Sequence, residues 1–125
     1  MGCDVCIGVD SLDEPFQFHS VETRKARKAH KCCECGLEIK PGARYEHVIG
    51  KYDGTFDIYD TCSLCVEIRD VFTCGNCWYY GQLWEEMREY AFERLTTASE
   101  CFRELSPEAK AFVLERWQKW KGLKA

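Results

Sequence analysis

Lys31-Cys32-Cys33-Glu34-Cys35-Gly36 and Cys62-Ser63-Leu64-Cys65, with 26 residues between Cys35 and Cys62, decide how this chain folds. Two thiols three residues apart can turn both sulfurs onto one ion through a tight knuckle. Gly36, just past the second thiol, supplies the positive φ that such a knuckle tends to need. Between the two pairs, Lys40-Pro41-Gly42 reads as a turn. The runs Arg44–Ile49 and Thr55–Tyr59 read as a β-hairpin closed by a loop over 50–54 that contains Asp53-Gly54. A short helix is expected over 64–72. Four thiolates are a good tetrahedral ligand set for zinc. The order knuckle, hairpin and ligand pair at a helix N-terminus brings the sulfurs together where the helix dipole favours thiolate. Cys32, Cys35, Cys62 and Cys65 are therefore the first candidate zinc site. Cys33 competes with Cys32 for its place, and His30 is a further candidate ligand.

The rest of the cysteines follow the same rule. There are ten in 125 residues, a density that means disulfides or metal. A disulfide framework has no need of four identical short spacings, so metal is expected. Cys3, Cys6, Cys74 and Cys77 then make a second four-thiolate site, for two zinc ions per chain. Cys101 falls on an apolar helical face and reads as a small buried residue. Met1–Cys6 lacks the basic and apolar regions of a secretory signal. No run approaches the ~18 apolar residues of a membrane span. The expected location is a reducing cytoplasm, where thiols persist as ligands. Net charge is −4, so any attraction for nucleic acid must come from a local patch.

Phe16–Val21 alternates apolar and polar residues and reads as a short strand. Beyond residue 77 the pattern becomes helical. Leu83, Trp84, Met87, Tyr90, Ala91 and Leu95 form one stripe. Thr97-Ala98-Ser99-Glu100 fits a capping box. Ser106-Pro107-Glu108 starts a last helix whose apolar face is Ala109, Phe112, Val113, Trp117 and Trp120. The expected fold is small, α+β and zinc-stabilised. Residues 1–95 would form a two-zinc finger domain that includes the first long helix, and 96–125 a helical extension packed on it.

The finger over 29–72 resembles the treble-clef zinc finger. The run Lys25-Ala26-Arg27-Lys28-Ala29-His30-Lys31-Cys32-Cys33-Glu34-Cys35, with Ile39-Lys40-Pro41-Gly42, Tyr45-Glu46, Asp53-Gly54, Thr61-Cys62 and Tyr80-Gly81, is similar to small cysteine-rich proteins of bacteriophages and prophages. That resemblance implies an accessory protein in the cytoplasm of a bacterial host, and no particular chemistry.

Two binding functions compete. The first is recognition of a protein partner, as a host-defence inhibitor or a modulator of a host process. Trp117 and Trp120 near the chain end are then the aromatics expected to be exposed as anchors. The second is nucleic-acid binding by Arg24, Lys25, Arg27, Lys28 and Lys31, with Tyr45, Tyr52 and Tyr59 as stacking surfaces. Catalysis is not expected. His47 lies on the hairpin, but Ser63–Phe72 contains no His or Asn to complete a finger-type nuclease site, and no nucleotide-binding or triad motif occurs.

Overall fold

The computed structural model describes Ile7, residues 17–52, 54–73, Trp78 and residues 80–124, with the backbone alone at 17–19, 52 and 124. In chain order the elements are β1 (Gln17–Lys25), β2 (His30–Lys31), β3 (Glu38–Ile39), β4 (Arg44–Tyr52), β5 (Thr55–Cys62), α1 (Ser63–Phe72), α2 (Leu83–Glu86), a π-helical turn (Met87–Ala91), α3 (Glu100–Glu104) and α4 (Pro107–Lys124). The result is a small α+β structure.

β1, β4 and β5 form an antiparallel sheet in that spatial order, and β2 and β3 form a separate two-stranded ribbon. The hairpin closes more tightly than its sequence suggests. Tyr52 pairs with Thr55, which leaves two residues in the loop, and Gly54 takes φ +77 there. Both strands lengthen because each finds a full set of partners. For the same reason β1 runs on to Lys25, paired with Arg44, and so carries the start of the basic run.

One face of the sheet is sealed by α1. Val48 is fully buried there beside Thr61, and Arg69 of α1 reaches across to Glu46 of β4. That contact is bidentate, at 2.9 and 3.1 Å, and the guanidinium also lies over the rings of Trp78 and Tyr80. Burial works against the Arg69 charge, and the Glu46 pairing more than offsets it, holding the pKa above its ordinary value.

The C-terminal helices share this core. Ile68 and Phe72 of α1 belong to the same buried cluster as Leu83, Met87, Phe92, Leu105, Ala109 and Val113. Of the expected stripe, Leu83, Trp84, Met87, Ala91 and Leu95 are buried, while Tyr90 is half exposed and Phe92 takes its place. The cause is the π-helical turn, in which the Phe92 N–H donates to the Met87 carbonyl five residues back. That extra residue per turn rotates the face. The capping box is also corrected. Ser99, not Thr97, is the cap residue of α3, and its hydroxyl accepts from the Thr96 N–H at 3.0 Å instead of bonding into the helix.

α4 starts as expected, with the Ser106 hydroxyl accepting from the Ala109 N–H at 3.2 Å. Glu67 of α1 clamps this start. It accepts from the Ser106 N–H at 2.6 Å and from its hydroxyl at 2.9 Å. Hydrogen bonds to a charged group contribute roughly 1.5–3 kcal/mol, so Glu67→Ala should cost about 2 kcal/mol in a urea melt. An unchanged midpoint would show that α4 docks without the clamp.

Candidate metal centre and basic groove

Cys32, Cys35, Cys62 and Cys65 converge, their sulfurs all within 4.8 Å of one another. Among the described residues this is the one group of three or more potential ligands. The knuckle is built by backbone hydrogen bonds: Cys32 N–H to Leu37 carbonyl at 2.9 Å and Gly36 N–H to Cys32 carbonyl at 3.0 Å, with Gly36 at φ +76. β5 delivers Cys62 to the residue just before α1, and Cys65 lies in its first turn. The N–H groups of Glu34 and Cys62 each donate to Cys32 Sγ at 3.4 Å. The Trp84 indole N–H donates to Cys65 Sγ at 3.4 Å.

The donor set fits a tetrahedral ion. Bonds of ~2.3 Å to sulfur imply S–S edges of about 3.8 Å, and Cys35 and Cys62 are 3.9 Å apart. Hydrogen bonds from the Cys35, Cys62 and Cys65 thiols hold Cys32 as the thiolate, far below the ordinary thiol range. Sharing with Cys32 pushes Cys62 and Cys65 far up. A cation taking all four sulfurs would therefore displace their protons.

The competitors are settled by geometry. Cys33 turns away from the cluster, 3.4 Å from Thr61 Oγ1, and burial pushes its thiol up to about 12. His30 stacks on Tyr45 at 4.8 Å, and its Nδ1 lies 3.5 Å from Asp60. Asp60 also holds His47 Nδ1 at 2.7 Å. Neither histidine joins the sulfurs.

The second expected ligand set, Cys3, Cys6, Cys74 and Cys77, lies outside the described residues. Two neighbouring facts bear on it. The Ile7 N–H donates to the Phe72 carbonyl at 2.8 Å, which ties the residue after Cys6 to the end of α1. Cys101 is fully buried, as expected, but it is also disulfide-bonded. Cys32, Cys33, Cys35, Cys62 and Cys65 are all free.

Two charged side chains that are not ligands brace the centre. Both Glu34 carboxylate oxygens accept backbone N–H groups at the start of α2, from Gly81 and Leu83, each at 3.0 Å. Arg116 of α4 donates to the Cys35 carbonyl at 3.2 Å and lies over the Trp84 ring. Contacts this distant in sequence leave no trace in spacing or periodicity.

The basic run divides. Arg24, Lys25, Arg27 and Lys28 line one concave groove of about 910 Å³ together with Ala26, His30 and Tyr45. Lys31 is exposed but is not part of this lining. The expected stacking surfaces are corrected as well. Tyr45 is 5% exposed, and Tyr59 is stacked on Tyr80 at 5.0 Å. The Tyr52 side chain lies outside the described set.

The expectation of exposed tail aromatics is overturned. Trp117 is 8% exposed, and its indole N–H donates to the Phe92 carbonyl at 3.1 Å. Trp120 packs on the same core with its ring 5.7 Å from Phe92. α4 turns one face inward from Ala109 to Trp120, so nearness to the chain end does not expose the two tryptophans.

No known family, curated protein or solved structure matches the chain. Its function has to be read from this centre and this groove. Among the described residues no helix is long and apolar enough to cross a membrane.

Proposed function

We propose that this chain is a zinc-held, treble-clef-like scaffold that binds nucleic acid through its basic groove, as a non-enzymatic accessory protein of the phage type its motifs resemble. The observation that carries the reading is the convergence of four cationic side chains on one concave surface beside the cysteine centre. An overall charge of −4 then matters less than the local field, because screening confines electrostatic attraction to about 8–10 Å at ordinary ionic strength. A four-thiolate zinc has no open coordination position and activates no water, so the centre holds the fold.

The test is a mobility-shift titration against salt with DNA and RNA probes. Arg27→Ala and Lys28→Ala should each weaken binding across sequences and flatten the salt slope by about one. Binding that ignores both changes would remove the groove from the reading.

For the metal, we propose two zinc ions per reduced chain, the second held by Cys3, Cys6, Cys74 and Cys77. The Ile7–Phe72 hydrogen bond supports this by tying the first of these pairs to the approach of the second. Cys101 is disulfide-bonded, so the metal count is made with that bond removed. Elemental analysis of Cys101→Ser under reducing conditions should therefore still return two equivalents, and one equivalent would sink the second site.

A protein partner is the second reading. The observation favouring it is now on the sheet, where Phe56 and Ile58 of β5 are 57% and 62% exposed. Ile58→Lys should spare nucleic-acid binding and abolish capture of a stoichiometric protein partner, if that is the function.

A further inference from the structure

We infer that the groove grips the sugar-phosphate backbone of a nucleic-acid duplex and reads no bases; this rests on the nucleic-acid reading above. Three features of the groove carry it.

The first is the absence of a stacking platform among the described residues of the groove. Sequence-tolerant binding of single strands draws roughly 1–3 kcal/mol per base from exposed aromatic faces. Among the described residues the groove has one tyrosine, Tyr45, which is 5% exposed and covered by the His30 ring. Tyr59 points to the opposite sheet face, paired with Val48 in the ladder and stacked on Tyr80. Single strands therefore lose their usual advantage here.

The second is shape. Base edges are read by an element that protrudes into a groove of the duplex, such as a helix or a β-ribbon. Here the cations sit in a concavity at the end of β1 and in the turn before β2. A concave basic surface fits the convex ridge of a backbone, and backbone contacts fix position without specifying sequence.

The third is the charge state of the lining. Arg24 is held by Glu22, Nε to Oε2 at 2.7 Å. Lys25, Arg27 and Lys28 make no ion pair among the described residues. Three cations are thus available for phosphate and a fourth is restrained. Each phosphate neutralised on a duplex contributes about −0.9 to the slope of log K against log salt, so the expected slope is about −2.7. Glu22 is an exposed residue of the edge strand, and Glu22→Gln removes the restraint without touching the core. The slope should then steepen to about −3.6, with tighter binding at low salt.

The experiment measures binding of the full chain to a 20-base-pair duplex, to each of its single strands and to a second duplex of shuffled sequence, from 50 to 300 mM salt. The expected result is a preference for duplex over single strand, affinities for the two duplexes within about twofold, and a steeper slope for Glu22→Gln. A preference for single strands, a tenfold difference between the duplexes, or an unchanged slope in Glu22→Gln overturns the inference while leaving nucleic-acid binding in place. Absence of salt-dependent binding to every probe at 50 mM salt overturns both.

Discussion

Cys62→Ala should abolish the folded state of residues 29–72, whereas Cys33→Ala should leave metal content unchanged. The two thiols sit in one neighbourhood and belong to different structures. Cys62 is a member of the four-sulfur cluster, joins β5 to α1 and lies 3.9 Å from Cys35. Cys33 hydrogen-bonds to Thr61 and has no sulfur partner in the cluster. Structural zinc in small fingers contributes an apparent ~10–16 kcal/mol, against a whole-domain stability of ~5–15 kcal/mol. Losing a ligand therefore removes an energy comparable to everything else that holds the domain. Cys33→Ala removes one weak hydrogen bond and a little buried volume, about 1 kcal/mol. Zinc content together with far-UV circular dichroism checks both. A folded, zinc-loaded Cys62→Ala, or a Cys33→Ala that loses its zinc, would put the metal on a different ligand set.

The centre was legible in the sequence because its geometry is local. A CxxC knuckle fixes two sulfurs within four residues, and a hairpin with Asp53-Gly54 at its tip returns the chain to where it started. Gly36 and Gly42 take the positive φ values, +76 and +92, that their turns require. What could not be read is whatever depends on partners far away in the chain. Arg69 is buried because Glu46, Trp78 and Tyr80 surround it, and no spacing in the sequence ties these residues together. Tyr90 drops out of its stripe because a π-helical turn alters the phase, and hydropathy carries no record of which carbonyl an N–H will choose. The basic run looked uniform over 24–31. Pairing of β1 out to Lys25 and the turn before β2 decide which of its members face the groove.

The same distinction governs the tail. Trp117→Ala should lower stability by roughly 3–5 kcal/mol, the range for truncating a buried large aromatic. The residue is 8% exposed, the fully buried Val113 precedes it by one helical turn, and its indole N–H is satisfied by the Phe92 carbonyl. Truncation would open a cavity against Phe92 and leave that carbonyl without its donor. For a chain of this size 1 kcal/mol moves the melting temperature by about 3–6 °C, so a fall of about 9 °C or more is expected. Trp120 is only partly buried and should cost distinctly less on truncation. Arg116, one residue before Trp117, bonds the knuckle carbonyl of Cys35, so loosening α4 should also speed zinc loss to a chelator. A structural tail predicts these stability and metal-release effects together, with nucleic-acid affinity preserved wherever the variant remains folded. If Trp117→Ala melts like the parent and loses binding instead, the indole is a recognition surface and the packing of α4 against Phe92 does not hold in solution.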